Sequence, residues 1–226
     1  MKKKTFNQIY FERVFSEARM KPYYGRHLGN ETQAIRLYQQ NIRLAESFGS
    51  SLSVFEVALR NAIIRELERM SGRKDWYVPF KDHSRLKTLY TYIHIACSHI
   101  RARGEEVSPD KINGELTLGF WVSLFNAEFE RYLWKDLRRS FPNMPKSIKK
   151  RKNVSSPLNK IRALRNRISH QESICWNLTR LTELHQTIIQ VVSWLDPDLP
   201  LWLSELDRFS CVMTRTRIQR FFSTLM

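Results

Sequence analysis

The sequence predicts an all-α protein built as one helical bundle, and three observations support that fold class. Apolar residues recur every three or four positions through most of the chain, which is the period of a helix buried on one face. The 7 glycines and 8 prolines cluster between these segments, and the alternation typical of strands is weak throughout. Hydrophobic residues make up 42% of the 226 residues, enough for one core. We therefore expect a single domain over 1–226, with its core at about 31–209 and a basic C-terminal helix at about 207–226.

Four helices are expected in the first half of the chain. The apolar pattern places them at about 7–20, 31–48, 52–70 and 83–103. The break at 49–51 is expected to supply the N-cap of the third helix, which ends at Ser71-Gly72. Loops are expected over 74–82 and 104–116, where no helical period is found.

The second half is expected to hold an aromatic helix, a basic helix, a long helix and two short ones. The aromatic helix follows Gly119 and stops before the prolines at 142 and 145. Ser156-Pro157 has the form of an N-cap followed by proline at the first helical position, so the basic helix is expected to start there. The long helix is expected at about 178–195, and the prolines at 197 and 200 end it.

The chain is strongly basic. It holds 38 lysines and arginines against 22 aspartates and glutamates, which gives a formal net charge of +16 and a pI of about 10.1. No acidic residue occurs from Leu137 to Gln171. The basic residues of that stretch are Arg138, Arg139, Lys146, Lys149, Lys150, Arg151, Lys152, Lys160, Arg162, Arg165 and Arg167. Charge of this size predicts a polyanionic partner, and nucleic acid is favoured over a membrane because no lipidation signal or amphipathic anchor stands out. A solvated basic surface without such a partner is the alternative.

The most informative motif lies in the same basic stretch. Arg165 and His170 are five positions apart, and Asn166 lies between them. Metal-free cleavage of RNA uses the neighbouring 2′-hydroxyl as nucleophile and needs a base, an acid and positive charge on the phosphate. Histidine titrates near neutral pH and can act as base or acid, and the planar guanidinium of arginine fits a phosphate. The motif therefore predicts a site in which Arg165 stabilises the phosphate, His170 transfers protons and Asn166 positions one of these groups.

Helix geometry constrains this site. Five residues turn a helix by about 500°, so Arg165 and His170 would lie roughly 140° apart, whereas Asn166 and His170 share a face. Either the helix ends or distorts near Ser169, or Arg165 reaches around it. One histidine cannot easily act as base and acid at once. A two-fold dimer that brings two copies together would supply two histidines and two arginines.

The spacing of the motif is not specific by itself. Arg180 and His185 are also five positions apart, but they lie on a helix without basic surroundings. We interpret His185 as a structural or surface residue. Phe120, Trp121 and Phe125 are potential stacking partners for bases, but aromatic residues at helical spacing usually pack in the core, and we expect them there.

Further residues are candidates for the same cleft or for RNA binding. Glu56, Arg60 and Asn61 either line the cleft with His170, or Glu56 and Arg60 form an i,i+4 pair and Asn61 bonds a buried backbone group. Glu172 either tethers one of the catalytic candidates or lies on the surface. Residues expected to contact the RNA backbone are Lys149, Lys150, Arg151, Lys152, Arg162 and Arg167. The alternative for 149–152 is a solvated run without a role.

No metal or cofactor is expected. Cys97, Cys175 and Cys211 are widely separated and lack zinc-ligand spacing, so we expect buried, reduced thiols. His94 and His99 flank Cys97 without ligand spacing. The basic start of the chain is not followed by an apolar segment, so no export signal is expected, and the longest apolar runs are too short to span a bilayer. These observations predict a soluble cytoplasmic protein.

Several segments, in order along the chain, resemble a known family. They are Phe55-Glu56-Val57-Ala58-Leu59-Arg60-Asn61-Ala62-Ile63, Leu116-Thr117-Leu118-Gly119-Phe120-Trp121-Val122-Ser123-Leu124, Tyr132-Leu133-Trp134 with Phe141-Pro142, and Arg162-Ala163-Leu164-Arg165-Asn166-Arg167-Ile168-Ser169-His170-Gln171-Glu172-Ser173-Ile174. The resemblance extends over most of the chain, from about Glu31 to Phe209. The chain resembles the Abi (abortive infection) family, within the HEPN superfamily of helical nucleases.

The resemblance implies a homodimeric, metal-independent endoribonuclease with an all-helical fold and no cofactor. It also implies a toxin-like role in phage defence or in a toxin–antitoxin system, where an RNA or a protein antitoxin would restrain the chain. The family's Arg-Asn-x-x-x-His motif falls on Arg165, Asn166 and His170. Members often continue with His-His-Glu-Pro, and this chain has Gln171 and Ser173 in place of the second histidine and the proline.

Two other functions are compatible with the basic composition. Some HEPN proteins only bind nucleic acid, so the chain is alternatively a non-catalytic module that holds a structured RNA. A helical DNA-binding regulator ranks last, because no helix-turn-helix pattern with a short glycine turn is found.

Overall fold

The computed structural model describes residues 6–224, and for 220–224 it describes the backbone alone. The regular structure of these residues is entirely helical and contains no strand, which confirms the all-α fold class. The α-helices are α1 (Gln8–Phe15), α2 (Glu17–Tyr24), α3 (Glu31–Ser47), α4 (Gly49–Ser71), α5 (Lys87–Ala102), α6 (Pro109–Glu115), α7 (Leu118–Ser123), α8 (Glu130–Leu137), α9 (Arg151–Ser169), α10 (Leu178–Leu195), α11 (Leu199–Ser204) and α12 (Phe209–Thr224). The start of the chain and the last two residues of the predicted C-terminal helix lie outside the described residues.

Helices α4 and α10 form the centre of the bundle. They pack against each other, and α9 packs against α10. Phe55, Leu59 and Ile63 lie four positions apart on one face of α4 and are fully buried. Ile188 of α10 and Leu158 of α9 are fully buried in the same core. The basic helix α9 is therefore fixed to the bundle along its apolar face.

Helix α3 joins the two ends of the chain to this core. Both α2 and α12 pack against α3. Met20 and Tyr23 of α2, and Met213 of α12, are buried in the same cluster. The core therefore extends beyond the expected limits of about 31–209 at both ends.

Three predicted helices agree closely with the structure, and two other predictions need correction. Helices α3, α4 and α10 match the expected segments at 31–48, 52–70 and 178–195. The first predicted helix is interrupted at Ser16, where φ is 75° and the side chain caps α2. The predicted loop at 104–116 contains α6, which Ser108 caps.

Helices α4 and α9 both begin earlier in the chain than expected. Helix α4 begins at Gly49, and Phe48 occupies its N-cap position, so 49–51 lies inside the helix. Helix α9 begins at Arg151, and Pro157 lies in its interior rather than at its first position. Pro157 therefore costs α9 one backbone hydrogen bond, which the buried face of the helix must offset.

The predicted aromatic helix is divided into α7 and α8. Its aromatic residues belong to the core, as expected, since Phe120, Trp121 and Phe125 are all at most 2% exposed. The indole N–H of Trp121 donates to the Leu116 carbonyl at 3.2 Å. Among the described residues, no helix combines the length and apolar character needed to cross a membrane.

Candidate active site

Arg165 lies in an open groove between α4, α7 and α9. The groove has a volume of about 420 Å³, and Glu56 and Arg60 of α4 line it together with Arg165 and Ser169 of α9. Trp121 of α7 contributes to its wall. The structure thus brings together three of the predicted polar residues on one side of α9.

A carboxylate holds the guanidinium of Arg165 in this groove. The Nε–H of Arg165 donates to Glu56 Oε1 at 2.9 Å, and the two side chains are 37% and 29% exposed. No hydrogen bond engages the two terminal nitrogens of Arg165 within the described residues. Glu56 therefore orients the guanidinium and leaves its terminal N–H groups open to an incoming anion.

Glu56 does not form the expected i,i+4 pair with Arg60, because its carboxylate bonds Arg165 instead. Arg60 has no carboxylate partner among the described residues and lines the groove. Asn61 is the next residue on α4 and lies exposed on a different side, near Arg65. Asn61 therefore does not line the groove that holds Glu56 and Arg165.

His170 lies at the C-terminal end of α9 and is exposed. The helix ends at Ser169, and the His170 N–H donates to the Asn166 carbonyl at 2.9 Å. Asn166 is also exposed and lies one turn before His170 on the same face. Neither residue lines the groove that holds Arg165. Within one protomer, His170 therefore lies just past the end of α9 and outside the groove that holds Arg165.

Asn41 of α3 fixes the segment that follows His170. The backbone N–H groups of Ile174 and Cys175 donate to Asn41 Oδ1 at 2.7 and 3.1 Å, and Asn41 Nδ2 donates to the Glu172 carbonyl at 3.4 Å. Asn41 is only 4% exposed. The polypeptide turns sharply at Gln171, where φ is 58°. The buried amide thus sets the path of the backbone on which His170 sits.

Helix α2 contacts the same segment from the other side. The guanidinium of Arg19 donates to the Gln171 carbonyl, and the Ser173 hydroxyl donates to Tyr23 Oη at 2.8 Å. Burial raises the pKa of Tyr23 to about 12. Sequence reasoning missed Arg19, Tyr23 and Asn41, since each acts on residues more than 130 positions away and the periodic pattern gives no signal for such contacts.

Glu172 tethers neither Arg165 nor His170. Its carboxylate accepts from Arg167 Nε at 3.2 Å, and both side chains are about half exposed. The guanidinium of Arg167 also donates to the Ser173 carbonyl. Arg167 therefore braces the turn after α9, and of the two alternatives for Glu172 the structure agrees with a surface position.

The basic run 149–152 is not a uniform solvated loop. Arg151 and Lys152 form the first turn of α9, and Lys150 is its N-cap residue. Arg151 is 16% exposed and donates to Glu130 and to the Phe125 carbonyl at 2.8 and 2.9 Å. Arg151 therefore links α9 to the start of α8, and its guanidinium is hydrogen-bonded within the protein.

Lys149 differs from its neighbours Lys150 and Lys152, which are exposed. Its ammonium donates to the Pro142 carbonyl at 3.4 Å. Partial burial, then the positive charges of Arg138 and Lys146, hold the pKa of Lys149 below its ordinary value. Positive charge is thus concentrated around Lys149 without a carboxylate to offset it.

The remaining predictions concern Arg162, His185 and metal binding. Arg162 is half-buried on α9 without a carboxylate partner in the described part of the chain. His185 is structural, as interpreted: its Nε2 contacts Asp207 Oδ2 at 2.5 Å, and its ring stacks on Phe209 with centroids 4.3 Å apart. Within residues 6–224, no group of three or more histidine, cysteine or acidic side chains could hold a metal ion.

The comparisons with known proteins yield no relative. No family model matches the chain, and no curated protein or solved structure matches it significantly.

Proposed function

We propose that the protein is a metal-independent endoribonuclease of the Abi family in the HEPN superfamily, and that it acts as a dimer. The observation that carries this proposal is the exposed His170–Asn166 pair at the end of α9. That helix lies in the stretch from Leu137 to Gln171, which contains eleven basic residues and no acidic one. The positive charge of this surface would attract a phosphodiester, and the accessible imidazole would be the proton-transfer group beside it.

The proposed reaction breaks one P–O bond and makes another. The 2′-oxygen attacks the adjacent phosphorus and loses its proton to an imidazole, and the 5′-oxygen leaves with a proton from a second imidazole. The products carry a 2′,3′-cyclic phosphate and a 5′-hydroxyl, so no water or metal enters the step. The terminal nitrogens of Arg165 would bind the phosphate oxygens as negative charge develops on them.

Two protomers supply what one lacks. A single protomer offers one histidine of the motif, and that histidine does not line the groove that holds Arg165. A two-fold axis near the end of α9 would bring His170 of the two protomers together. The dimer would then supply one imidazole as base, a second as acid, and two Arg165 guanidinium groups.

The test is cleavage of RNA in EDTA by the wild type and by His170→Ala. We expect the wild type to cut and the variant to lose most of the activity, since acid–base catalysis contributes roughly 100-fold or more. His94→Ala is the matched control, because His94 is exposed on α5 and its ring makes no hydrogen bond in the described part of the protein. End-group analysis should find a cyclic phosphate. Undiminished cutting by His170→Ala would remove this residue from the mechanism.

The cellular role proposed with this activity is that of a cytoplasmic toxin-like effector in phage defence or a toxin–antitoxin system, restrained by an RNA or protein antitoxin. The second candidate function is a module that holds a structured RNA without cutting it. That alternative is favoured by the absence of His170 from the groove that holds Arg165, because one protomer then presents no complete catalytic site. Tight, salt-sensitive binding with the RNA intact after long incubation would distinguish it from the nuclease.

A further inference from the structure

A second and larger groove runs between α9 and α10. It has a volume of about 860 Å³, twice that of the groove around Arg165. Leu164, Ile174 and Leu181 form an apolar base, and each of them is buried. The groove is only partly enclosed.

The walls of this groove are basic. Lys160 and Arg167 line it from α9, and Arg180 lines it from α10. Lys160 and Arg180 are exposed and have no carboxylate partner in the described part of the chain. Glu183 is the one acidic residue among the described residues that line the groove. The net charge of the lining is therefore positive and suits an anionic ligand.

One aromatic side chain stands at the end of the groove. Trp176 is half-buried and lines the groove. Its ring packs against Tyr23, with centroids 5.1 Å apart, and the Arg26 guanidinium lies 4.9 Å from its centroid. These contacts hold the indole in place, so it offers a fixed apolar surface to a planar group.

Residues on both sides of His170 in the sequence line the groove. Arg167 precedes His170 by three residues and Ile174 follows it by four, and both line the groove. The Arg167–Glu172 pair and the Asn41 contacts hold this turn against α3. A ligand lying in the groove would therefore emerge near the C-terminal end of α9, where the imidazole of His170 is exposed.

We propose that the groove between α9 and α10 binds an unpaired strand of RNA and leads it to His170. The apolar base and Trp176 suit nucleobases, and the basic walls suit the phosphates between them, which is the combination that single-stranded nucleic acids need. The nucleobases of a duplex are stacked and paired in its interior, so they cannot contact the apolar floor of the groove. This inference rests on the proposed function, because it names the substrate class of the same site.

The test measures the binding of a short unpaired RNA by fluorescence anisotropy in the His170→Ala background, which prevents cutting. Lys160→Ala with Arg180→Ala removes two charges from the groove. Lys87→Ala with Lys135→Ala is the matched control, because both lysines are exposed outside the groove and unpaired within the described residues. We expect the groove variant to bind about 10-fold more weakly than the control, with a salt slope smaller by about 1–2, as expected for two lost phosphate contacts.

Three outcomes would overturn the inference. The first is equal binding by the groove variant and the control, which would assign the effect to overall charge. The second is binding of an RNA duplex as tight as that of the unpaired strand. The third is equally effective competition by polyglutamate of matched charge, which would indicate an acidic protein partner. Each is separate from failure of the nuclease proposal, which is read from cutting by His170→Ala.

Discussion

At the scale of single residues, the two halves of the motif have different surroundings. Arg165 is held by Glu56 through one edge of its guanidinium and keeps its terminal nitrogens open. His170 is exposed beyond the last turn of α9, where its main chain is fixed and no side-chain partner engages its ring within the described residues. The protein thus preorganises the cation and leaves the imidazole accessible, which suits charge stabilisation and proton transfer respectively.

This difference predicts the effect of Arg165→Lys. A lysine keeps the positive charge but lacks the planar fork that bonds Glu56 and a phosphate together. We expect the single-turnover rate of RNA cleavage to fall by about 100-fold, while the Kd for RNA changes little. Arg131→Lys on α8 is the control, because Arg131 is exposed and unpaired among the described residues. A rate that Arg165→Lys leaves unchanged would show that the fork is not used.

At the scale of elements, the turn between α9 and α10 depends on helices far away in the sequence. Asn41 of α3 bonds its backbone at three points, and Arg19 and Tyr23 of α2 contact it as well. Helices α2 and α3 therefore act as a brace for the segment after His170. Helix α2, which was expected to lie outside the core, is part of the support of the site.

We expect Asn41→Ala to destabilise the protein by about 1–3 kcal/mol, because the buried N–H groups of Ile174 and Cys175 lose their acceptor. Asn159→Ala is the control. Asn159 is a helical asparagine whose side chain bonds only Ser155 on the same helix, so both variants gain the same helix propensity. Chemical denaturation measures the difference between the two. Equal stability of the variants would show that the Asn41 contacts do not hold the turn.

The elements also show which predictions sequence reasoning can make. The apolar period located α3, α4 and α10, since each buries a regular stripe. Local signals were less reliable: Ser156-Pro157 and Ser108-Pro109 have the same form, but only the second pair starts a helix. Packing of its buried face stabilises α9 despite the hydrogen bond lost at Pro157. The spacing of apolar residues in the sequence does not reveal such tertiary effects. Helix geometry left the relation of Arg165 to His170 open, and both the end of α9 at Ser169 and the partner of Glu56 required the fold.

At the scale of the whole molecule, the net charge is +16, and the stretch from Leu137 to Gln171, which contains α9, holds eleven basic residues and no acidic one. Two grooves lie on either side of this helix, one holding Arg165 and the other lined by Lys160 and Arg167. His170 lies at the end where the helix stops. In the proposed mechanism, RNA would bind along the helix and react at its end, and the second imidazole would come from another protomer.

Mixing wild type with His170→Ala therefore gives a quantitative test of the dimer. If each active site needs two copies of His170, a mixed dimer is inactive and the rate follows the square of the wild-type fraction. After the two proteins are unfolded and refolded together at equal amounts, we expect about a quarter of the wild-type rate per total protein, whereas independent sites would leave about half. His94→Ala in place of His170→Ala should leave the rate unchanged, because that residue lies on α5 away from the proposed axis. A linear dependence on the wild-type fraction would mean that one protomer carries a complete site, and the acid would then have to be sought among its own residues.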